Sequence, residues 1–369
     1  MENDISALEE LIISHDVVID AVFGTGLDKP LAAPYDKIIN NINQYGKYII
    51  SVDIPSGING STGETAGIAV KADRTVSFVT YKQGFLNYSA AEFLGKIKVV
   101  NIGLPEHVIK KFSNTVLMDK KYISSLLIPR LKYSHKGNFG HTLIIAGSPG
   151  FTGAAVISAN AAVKTGSGLV TLAVFHECLN MLSSCSPEVM TADLSDKNRL
   201  LDLLKKVNSI AFGPGLGNNP RTLELLKFIL ENSDVPMVID ADGINVLAEE
   251  PALLEKLKNR CILTPHLGEF ARISGLSIEE ISKDRIKAAK DFSKKYSVIL
   301  LLKGYNTIIT NECDVYVNTT GNSSMANGGM GDTLTGITAS LISQKYTIFA
   351  SGKIGSFLHG YIGEKLSKR

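Results

Sequence analysis

The sequence contains no tryptophan and only four cysteines among its 369 residues, and the cysteines form no pattern. Cys178, Cys185, Cys261 and Cys313 include no C-x-x-C pair and no spacing typical of metal ligands. A disulfide-stapled secreted scaffold and a thiolate metal centre are therefore excluded as organising features. The sequence instead predicts reduced thiols in a cytoplasmic protein.

A strong charge of either sign and a long apolar run are also missing. The net charge is +2 and no basic block carries interleaved aromatic residues, so nucleic acid is not an expected partner. No apolar run reaches membrane-spanning length, and the acidic segment 1–4 does not begin a signal peptide, so no membrane partner is expected either. With 44% hydrophobic and 20% charged residues, the chain is typical of a well-cored protein, and its length predicts two domains.

What the sequence does contain is a series of short runs of Val, Ile and Leu separated by helix-length amphipathic segments such as 220–231 and 281–296. The runs do not alternate polar with apolar residues, as expected for parallel strands covered on both faces. We predict strands at 17–22, 48–52, 75–79, 96–100, 142–146, 169–174, 209–212, 237–239, 261–263 and 298–302. The fold class is therefore α/β, with two doubly wound, mainly parallel-sheet domains at 1–114 and 115–369.

The most informative segment is 324–334, in which Gly328, Gly329 and Gly331 precede Asp332 and an apolar, helix-like run. Glycines let backbone N–H groups turn toward a ligand, and a helix N-terminus adds unpaired donors and a positive dipole end. This combination predicts an anion site at which Asp332 acts as a general base. The alternative is a structural glycine turn in which Asp332 is only the helix N-cap.

Polar or glycine-rich loops follow five predicted strands of the second domain, where ligands of open α/β sheets bind. Each loop alone is also compatible with ordinary turn chemistry. The loops are 147–155, 213–217, 240–245, 264–269 and 303–307. Five of them together with the anion site favour a binding site over turns alone.

Residues 130–369 resemble the NAD(P)H-hydrate dehydratase domain of the ribokinase-like superfamily. The motifs that carry the resemblance are 135–137 (HKG), 213–217 (GPGLG), 240–242 (DAD), 264–269 (TPHLGE), 303–304 (KG) and 328–332 (GGMGD). The resemblance implies removal of water from hydrated NADH or NADPH with ADP, or ATP in eukaryotic members, and Mg²⁺. Hydroxide is a poor leaving group, and transfer of a phosphoryl group to the hydroxyl would convert it into a good one. Catalysis of such a transfer depends on positioning and on charge stabilisation.

The resemblance also implies roles for individual residues. Asp332 would accept the proton of the substrate hydroxyl. The implied contacts to the hydrate are Ala154, Gly215, Gly217, His266 and Asp332, and those to the nucleotide are Lys303, Gly304, Tyr305, Asn306, Thr307, Gly328, Gly329 and Gly331. From the residues alone, His266 could equally be a buried hydrogen-bonding group, and Asp240 and Asp242 could bind Mg²⁺ through water or cap a helix.

In the first domain, two carboxylates and a glycine-rich turn follow adjacent strands, which suits a small ligand or a cation, or simply capping and turn geometry. Residues 12–110 resemble the later half of the NAD(P)H-hydrate epimerase domain, which interconverts the R and S hydrates. That resemblance implies that Asp20 and Ser56 help to bind K⁺ and that Asp53 is the catalytic candidate. The implied substrate contacts are Gly24, Thr25, Gly26, Leu27, Asp28, Lys29, Pro30 and Asp53.

The family's Asn- and Gly-rich phosphate loop is missing before Asp20, so we expect an incomplete Rossmann-like sandwich without epimerase activity, serving instead as a scaffold for dimerisation or docking. A separately encoded N-terminal fragment, a decaying gene and an internal start are the open explanations. The chain also stops about one helix earlier than the family usually does. Two other functions remain open, a ribokinase-like small-molecule kinase and a non-catalytic nucleotide-binding remnant. We expect a homo-oligomer, as is usual in this family.

Overall fold

The structure is a computed structural model that describes residues 2–27, 29–112, 115–179 and 186–368, without the side chains of residues 2–6 and 110. The chain divides into two compact units, Met1–Asn114 and Thr115–Arg369. Cys185 and Asp28, both named above, lie outside the described residues. No helix in the described part of the chain is long and apolar enough to cross a membrane.

The N-terminal unit contains a four-stranded sheet in which every neighbouring pair is parallel, in the order β1-β2-β3-β4. Its strands are β1 Val18–Asp20, β2 Ile49–Val52, β3 Arg74–Phe78 and β4 Lys96–Val100, and its helices are α1 Glu2–Ser14, α2 Tyr35–Tyr45 and α3 Glu106–Phe112. Ile12, Ile39 and Ile42 from α1 and α2 pack with Ile49 of β2. The four predicted strands are all present.

The C-terminal unit contains a ten-stranded sheet in the order β5-β14-β13-β12-β11-β10-β9-β6-β7-β8. Its strands are β5 Thr115–Leu117, β6 His141–Ile145, β7 Leu169–Val174, β8 Met190–Asp193, β9 Ser209–Phe212, β10 Met237–Ile239, β11 Cys261–Leu263, β12 Ile299–Leu302, β13 Thr307–Thr310 and β14 Val315–Asn318. Among these ten described strands, only β13 runs antiparallel to its neighbours, β12 and β14. The predicted mainly parallel α/β fold is confirmed, whereas β5, β8, β13 and β14 were not predicted.

The segment predicted as one helix at 281–296 belongs to two helices of this unit. The helices of the unit are α4 Lys120–Leu126, α5 Thr152–Thr165, α6 Lys197–Leu204, α7 Pro220–Asn232, α8 Asp242–Glu249, α9 Leu267–Ser274, α10 Ile278–Lys283, α11 Arg285–Tyr296, α12 Met330–Ser343 and α13 Ile348–Leu366. The helix expected at 281–296 is interrupted at Asp284. The Asp284 carboxylate accepts a hydrogen bond from the N–H of Lys287 and so caps α11, which separates it from α10.

Helices α5 and α12 pack closely because Gly336 of α12 faces the backbone of α5. A Cβ at Gly336 would collide with the carbonyl oxygen of Ser158. Residues 334–343 of α12 are all buried, and α12 follows the glycine-rich segment 328–331. The helix is thereby anchored in the core while its first turn stays at the edge of the sheet.

Candidate active site

Five neighbouring parallel strands bring the predicted site residues to one edge of the C-terminal sheet. Strands β6, β9, β10, β11 and β12 lie side by side with the same direction. The loops that follow them therefore open at the same edge. These loops contain or lead to Ala154, Gly215, Asp240, His266 and Lys303, as the sequence predicted.

Lys303, directly after β12, is held by two buried carboxylates. Its Nζ lies 2.7 Å from Oδ1 of Asp240 and 3.8 Å from Oε2 of Glu269. The hydroxyl of Thr335 on α12 donates to Oδ2 of Asp240 at 2.8 Å, and Asp240 is only 1% exposed. Burial alone would raise the pKa of Asp240, but the Lys303 charge and the hydrogen bonds hold it below its ordinary value.

The same contacts keep Lys303 protonated. Burial alone would lower the pKa of Lys303, but the charges of Asp240, Glu269 and Asp332 raise it above its ordinary value. The site therefore holds a fixed ammonium group beside the glycine-rich turn. A Cβ at Gly331 would lie 3.4 Å from Nζ of Lys303, which shows how closely the turn approaches the ammonium.

Asp332 lies in the first turn of α12 but does not cap it. The N-cap residue is Gly329, whose φ of 88° belongs to the left-handed region that favours glycine. Among the described residues, no hydrogen bond to the Asp332 carboxylate is found. Burial and, next, the nearby charge of Asp240 raise the pKa of Asp332, although Lys303 acts in the opposite direction. The alternative reading of Asp332 as a simple N-cap is therefore wrong.

Asp242 also does not cap its helix, because the N-cap of α8 is Ala241 with a φ of 49° and no side-chain bond. Instead, Oδ2 of Asp242 accepts a hydrogen bond from the N–H of Gly217 at 2.8 Å. This bond ties the β9 loop to the β10 loop. Positive φ at a non-glycine residue is strained, and such strain is concentrated at functional sites.

His266 is both hydrogen-bonded and accessible, so it combines features of the two alternatives. Its Nδ1 accepts hydrogen bonds from the N–H groups of Gly268 and Glu269, and its own N–H donates to the Glu269 carboxylate, forming a capping box at α9. The His266 side chain is 55% exposed, with Nε2 3.3 Å from Oε1 of Glu269. The ring is thus oriented by its own helix while one face stays open.

The loop predicted to hold the nucleotide is a short hairpin between β12 and β13. Its four residues, 303–306, can only reverse the chain, because a parallel crossover needs a dozen or more residues. Asn306 is buried with a φ of 55°, whereas Tyr305 is exposed. The Thr307 hydroxyl donates to the carbonyl of Gly304 at 3.0 Å, closing the loop.

Three residues at this edge were not predicted: Glu269, Thr335 and His359. Glu269 and Thr335 belong to a motif and a helix already named, but only their contacts in the fold show that they hold Lys303 and Asp240. His359 on α13 has a buried Nε2 without a hydrogen-bond partner among the described residues. Burial first, and then the charge of Lys303, lower its pKa to about 4, so it is neutral beside the site. No sequence motif identified it.

In the N-terminal unit, the structure joins Asp20 and Ser56 directly. The Ser56 hydroxyl donates to Oδ1 of Asp20 at 2.5 Å, and the Ser56 N–H and the Ser51 hydroxyl donate to Oδ2 at 2.9 and 2.7 Å. Asp20 and Ser56 are fully buried. The described part of the 24–30 loop is near this pair, because Phe23 donates its N–H to the Ser56 hydroxyl at 2.8 Å.

Asp53 has a φ of 64° and pairs with Lys82 at 2.8 Å. Its carboxylate also accepts the N–H of Phe78 at 2.8 Å, so its position is fixed by the end of β3. No cluster of three or more His, Cys, Asp or Glu side chains able to hold a metal ion is found within the described ranges.

Comparison with known protein families covers both units. A family model described as NAD(P)H-hydrate dehydratase matches residues 142–369, and one described as YjeF-related protein N-terminus matches residues 1–84. The bifunctional NAD(P)H-hydrate repair enzyme Nnr of Coxiella burnetii is 39% identical over 362 residues, which are 98% of this chain and 73% of that protein. The enzyme of the same name from Escherichia coli is 34% identical over 357 residues, 96% of this chain and 68% of that protein.

Solved structures resemble the larger part of the chain. A ribokinase-like superfamily protein from Enterococcus faecalis has a TM-score of 0.65 and 28% identity, over 70% of this chain and 90% of that one. The ADP/ATP-dependent NAD(P)H-hydrate dehydratase of Bacillus subtilis, co-crystallised with ATP and Mg²⁺, has a TM-score of 0.60 and 26% identity, over 69% of this chain and 91% of that one.

These matches correct one expectation and confirm the family that the sequence resembles. The N-terminal unit was expected to be an incomplete epimerase, but the family model matches residues 1–84, so incompleteness and the doubt about its activity are not supported. The relatives carry both parts in one chain, as this chain does. The chain belongs to the family of bifunctional NAD(P)H-hydrate repair enzymes, and its C-terminal unit to the NAD(P)H-hydrate dehydratases.

Proposed function

We propose that the C-terminal unit converts the S form of NADH or NADPH hydrate back to the reduced cofactor, using ADP or ATP. The observation that carries this proposal is the half-buried Asp332, with its raised pKa, at the start of α12 beside the Lys303 ammonium. A carboxylate of raised pKa suits general-base chemistry, and a fixed cation suits a phosphoryl group. The Bacillus subtilis relative that was co-crystallised with ATP and Mg²⁺ supports the choice of nucleotide.

In the proposed reaction, Asp332 accepts the proton of the ring hydroxyl as that oxygen bonds to the terminal phosphorus. The bond between this phosphorus and the bridging oxygen breaks, releasing AMP when ADP is used. The original carbon–oxygen bond, now part of a phosphate ester, then breaks with loss of a ring proton, which releases phosphate and restores the dihydronicotinamide. Lys303 and the N–H groups of residues 328–331 stabilise negative charge on the phosphoryl oxygens.

Mg²⁺ bound with the nucleotide would neutralise charge on the phosphates. Asp240 is already engaged by Lys303 and Thr335, whereas Oδ1 of Asp242 has only a long contact of 3.4 Å to Nδ2 of Asn245. Asp242 is therefore the better of the two predicted aspartates for holding the ion through water.

We also propose that the N-terminal unit interconverts the R and S hydrates, with Asp53 as the reacting carboxyl. K⁺ does not fit at Asp20 and Ser56 as they stand, because both carboxylate oxygens of Asp20 already accept hydrogen bonds from Ser51 and Ser56, so no step is assigned to K⁺. The exposed loop that contains Gly24 and Gly26 would bind the substrate, since a Cβ at either position would meet no atom within 4 Å.

The test is recovery of reduced-nicotinamide absorbance from a mixture of R and S hydrates with ADP and Mg²⁺. A nucleotide-dependent rise is expected, continuing to full recovery because the R form is supplied by the N-terminal unit. A fast phase that ends when S is consumed would refute the epimerase proposal alone. Formation of a stable phosphate ester without recovery would indicate a small-molecule kinase, and the absence of both from folded protein would indicate a remnant that only binds nucleotide.

A further inference from the structure

Two large apolar side chains are exposed at the edge of the sheet that carries the site. Phe151 immediately precedes α5 and is 63% exposed, and Ile157 of the same helix is 36% exposed. With Ala154 between them, they are spaced by three residues, which places them on one side of the helix. We call Phe151, Ala154 and Ile157 the apolar stripe.

The apolar stripe extends from the β9 loop to the glycine-rich turn. A Cβ at Gly215 would lie 3.0 Å from Cβ of Phe151 and 3.1 Å from Cβ of Ala154. A Cβ at Gly329 would lie 2.8 Å from Cδ1 of Ile157. Glycine at both positions therefore lets the two loops that the proposed reaction uses lie close against the stripe, which stays exposed at Phe151 and Ile157.

Packing within the protein does not account for Phe151. Among the described residues, no aromatic ring and no cation is stacked on the Phe151 ring. A single exposed apolar residue needs no explanation. Two of them in line at the carboxyl edge of the sheet, close to both loops of the site, are typical of a ring-binding surface.

We propose that the apolar stripe binds a face of the hydrated nicotinamide ring and that Phe151 is the main ring contact. The inference rests on the proposed dehydratase function. The ring would lie on Phe151 and Ile157, with its hydroxyl directed toward Asp332 at the far side of the glycine-rich turn. The hydrated ring is partly saturated and not aromatic, so its contact with Phe151 is burial of apolar surface, which changes affinity on the order of 2- to 10-fold.

The kinetic test compares Phe151→Ala with Tyr133→Ala, an exposed aromatic of the same unit that follows no strand of the sheet. Phe151→Ala should raise the KM for the hydrate on the order of 2- to 10-fold and leave the KM for ADP unchanged. Phe151→Tyr should restore the KM, and Tyr133→Ala should change neither constant. An unchanged KM for the hydrate, or a rise in the KM for ADP instead, overturns the inference.

A binding test separates this inference from the proposed function. The chain has no tryptophan, so Phe151→Trp provides its only tryptophan emission. Adding NADH should shift that emission to shorter wavelength, because the indole leaves water, whereas ADP-ribose, which lacks the nicotinamide ring, should not shift it. Equal shifts with both ligands, or no shift with NADH, refute the stripe even if wild type is active. A selective shift in a protein without turnover supports the stripe and refutes only the dehydratase proposal.

Discussion

Replacing Asp332 by Asn should lower the catalytic rate while leaving the free energy of unfolding equal or higher. The substitution keeps the size of the side chain but removes the base. Since general-base catalysis contributes about 10²- to 10⁴-fold, kcat should fall by that factor, equivalent to about 2.7 to 5.4 kcal/mol of barrier. The affinity for ADP should be retained, because the N–H groups of residues 328–331 and the Lys303 ammonium are unchanged.

Stability should rise, because the fold disfavours the charged carboxylate. The pKa of Asp332 is raised in the folded protein above its ordinary value of 3.8, chiefly by burial. The native state therefore binds the proton more tightly than the unfolded state, and the Asp332 contribution to stability falls as pH rises through that interval. At pH 7 the variant is relieved of this cost, so its free energy of unfolding should equal or exceed that of wild type.

Chemical denaturation gives the free energy of unfolding of both proteins at pH 7 and at pH 4, and turnover of the S hydrate gives kcat. The gain in stability should be smaller at pH 4 than at pH 7. Wild-type kcat should also fall as pH drops through the raised pKa of the base. A variant that is less stable than wild type at pH 7, and that loses activity only in proportion to the loss of folded protein, would show that Asp332 has a structural role. Unchanged turnover would remove Asp332 from the mechanism.

Three further changes test the surroundings of the site. Lys303→Met should lower the free energy of unfolding by about 3–5 kcal/mol, measured in urea, because Asp240 keeps a buried charge without its cation; an unchanged value would show that the pair is dispensable. His359 has a pKa of about 4 in the fold against 6.5 unfolded, so wild type should lose about 3 kcal/mol as pH falls from 6.5 to 4, and His359→Gln should lose correspondingly less. Gly336→Ala should lower the free energy of unfolding by about 1–3 kcal/mol through overpacking. The control Gly153→Ala, where a Cβ would meet no atom within 4 Å, should leave that free energy unchanged or raise it by up to about 1 kcal/mol. Equal effects of the two substitutions would contradict the close approach of α5 and α12.

Most of the parallel strands were predictable because they are continuous apolar runs, which can be recognised without tertiary information; β5 and β8 lack such a run and were missed. Strands β13 and β14 were not predictable either, since TIIT and VYVN are short and carry no unbroken run of Val, Ile and Leu. Only their pairing with β12 and β5 makes them part of the sheet. The break between α10 and α11 was missed because the apolar period continues across Asp284, and the capping bond that separates the helices is local.

For the site, glycine and proline motifs at strand ends gave the positions of the loops, because parallel neighbours must open at one edge. They did not give the partners of each side chain. In the sequence, Glu269 is only the last residue of the 264–269 motif, whereas its contacts in the fold show that it holds Lys303 and His266. Thr335 and His359 lie in helices whose apolar pattern indicates only that they are packed in the core. Their place at the site depends on how those helices run past β10 and β12, which the sequence does not show.

The charges of the site depend on the assembly of the sheet. Asp240 follows β10, Lys303 follows β12 and Thr335 lies on α12, so their contacts form only when three distant parts of the chain have packed. In the unfolded chain each group would be solvated separately. In the fold, burial alone would disfavour both the Asp240 carboxylate and the Lys303 ammonium. Their pairing keeps both groups charged and holds the ammonium in one orientation. A cation fixed in this way needs no reorganisation when phosphate arrives, which is the condition under which electrostatic stabilisation of a transition state is strongest.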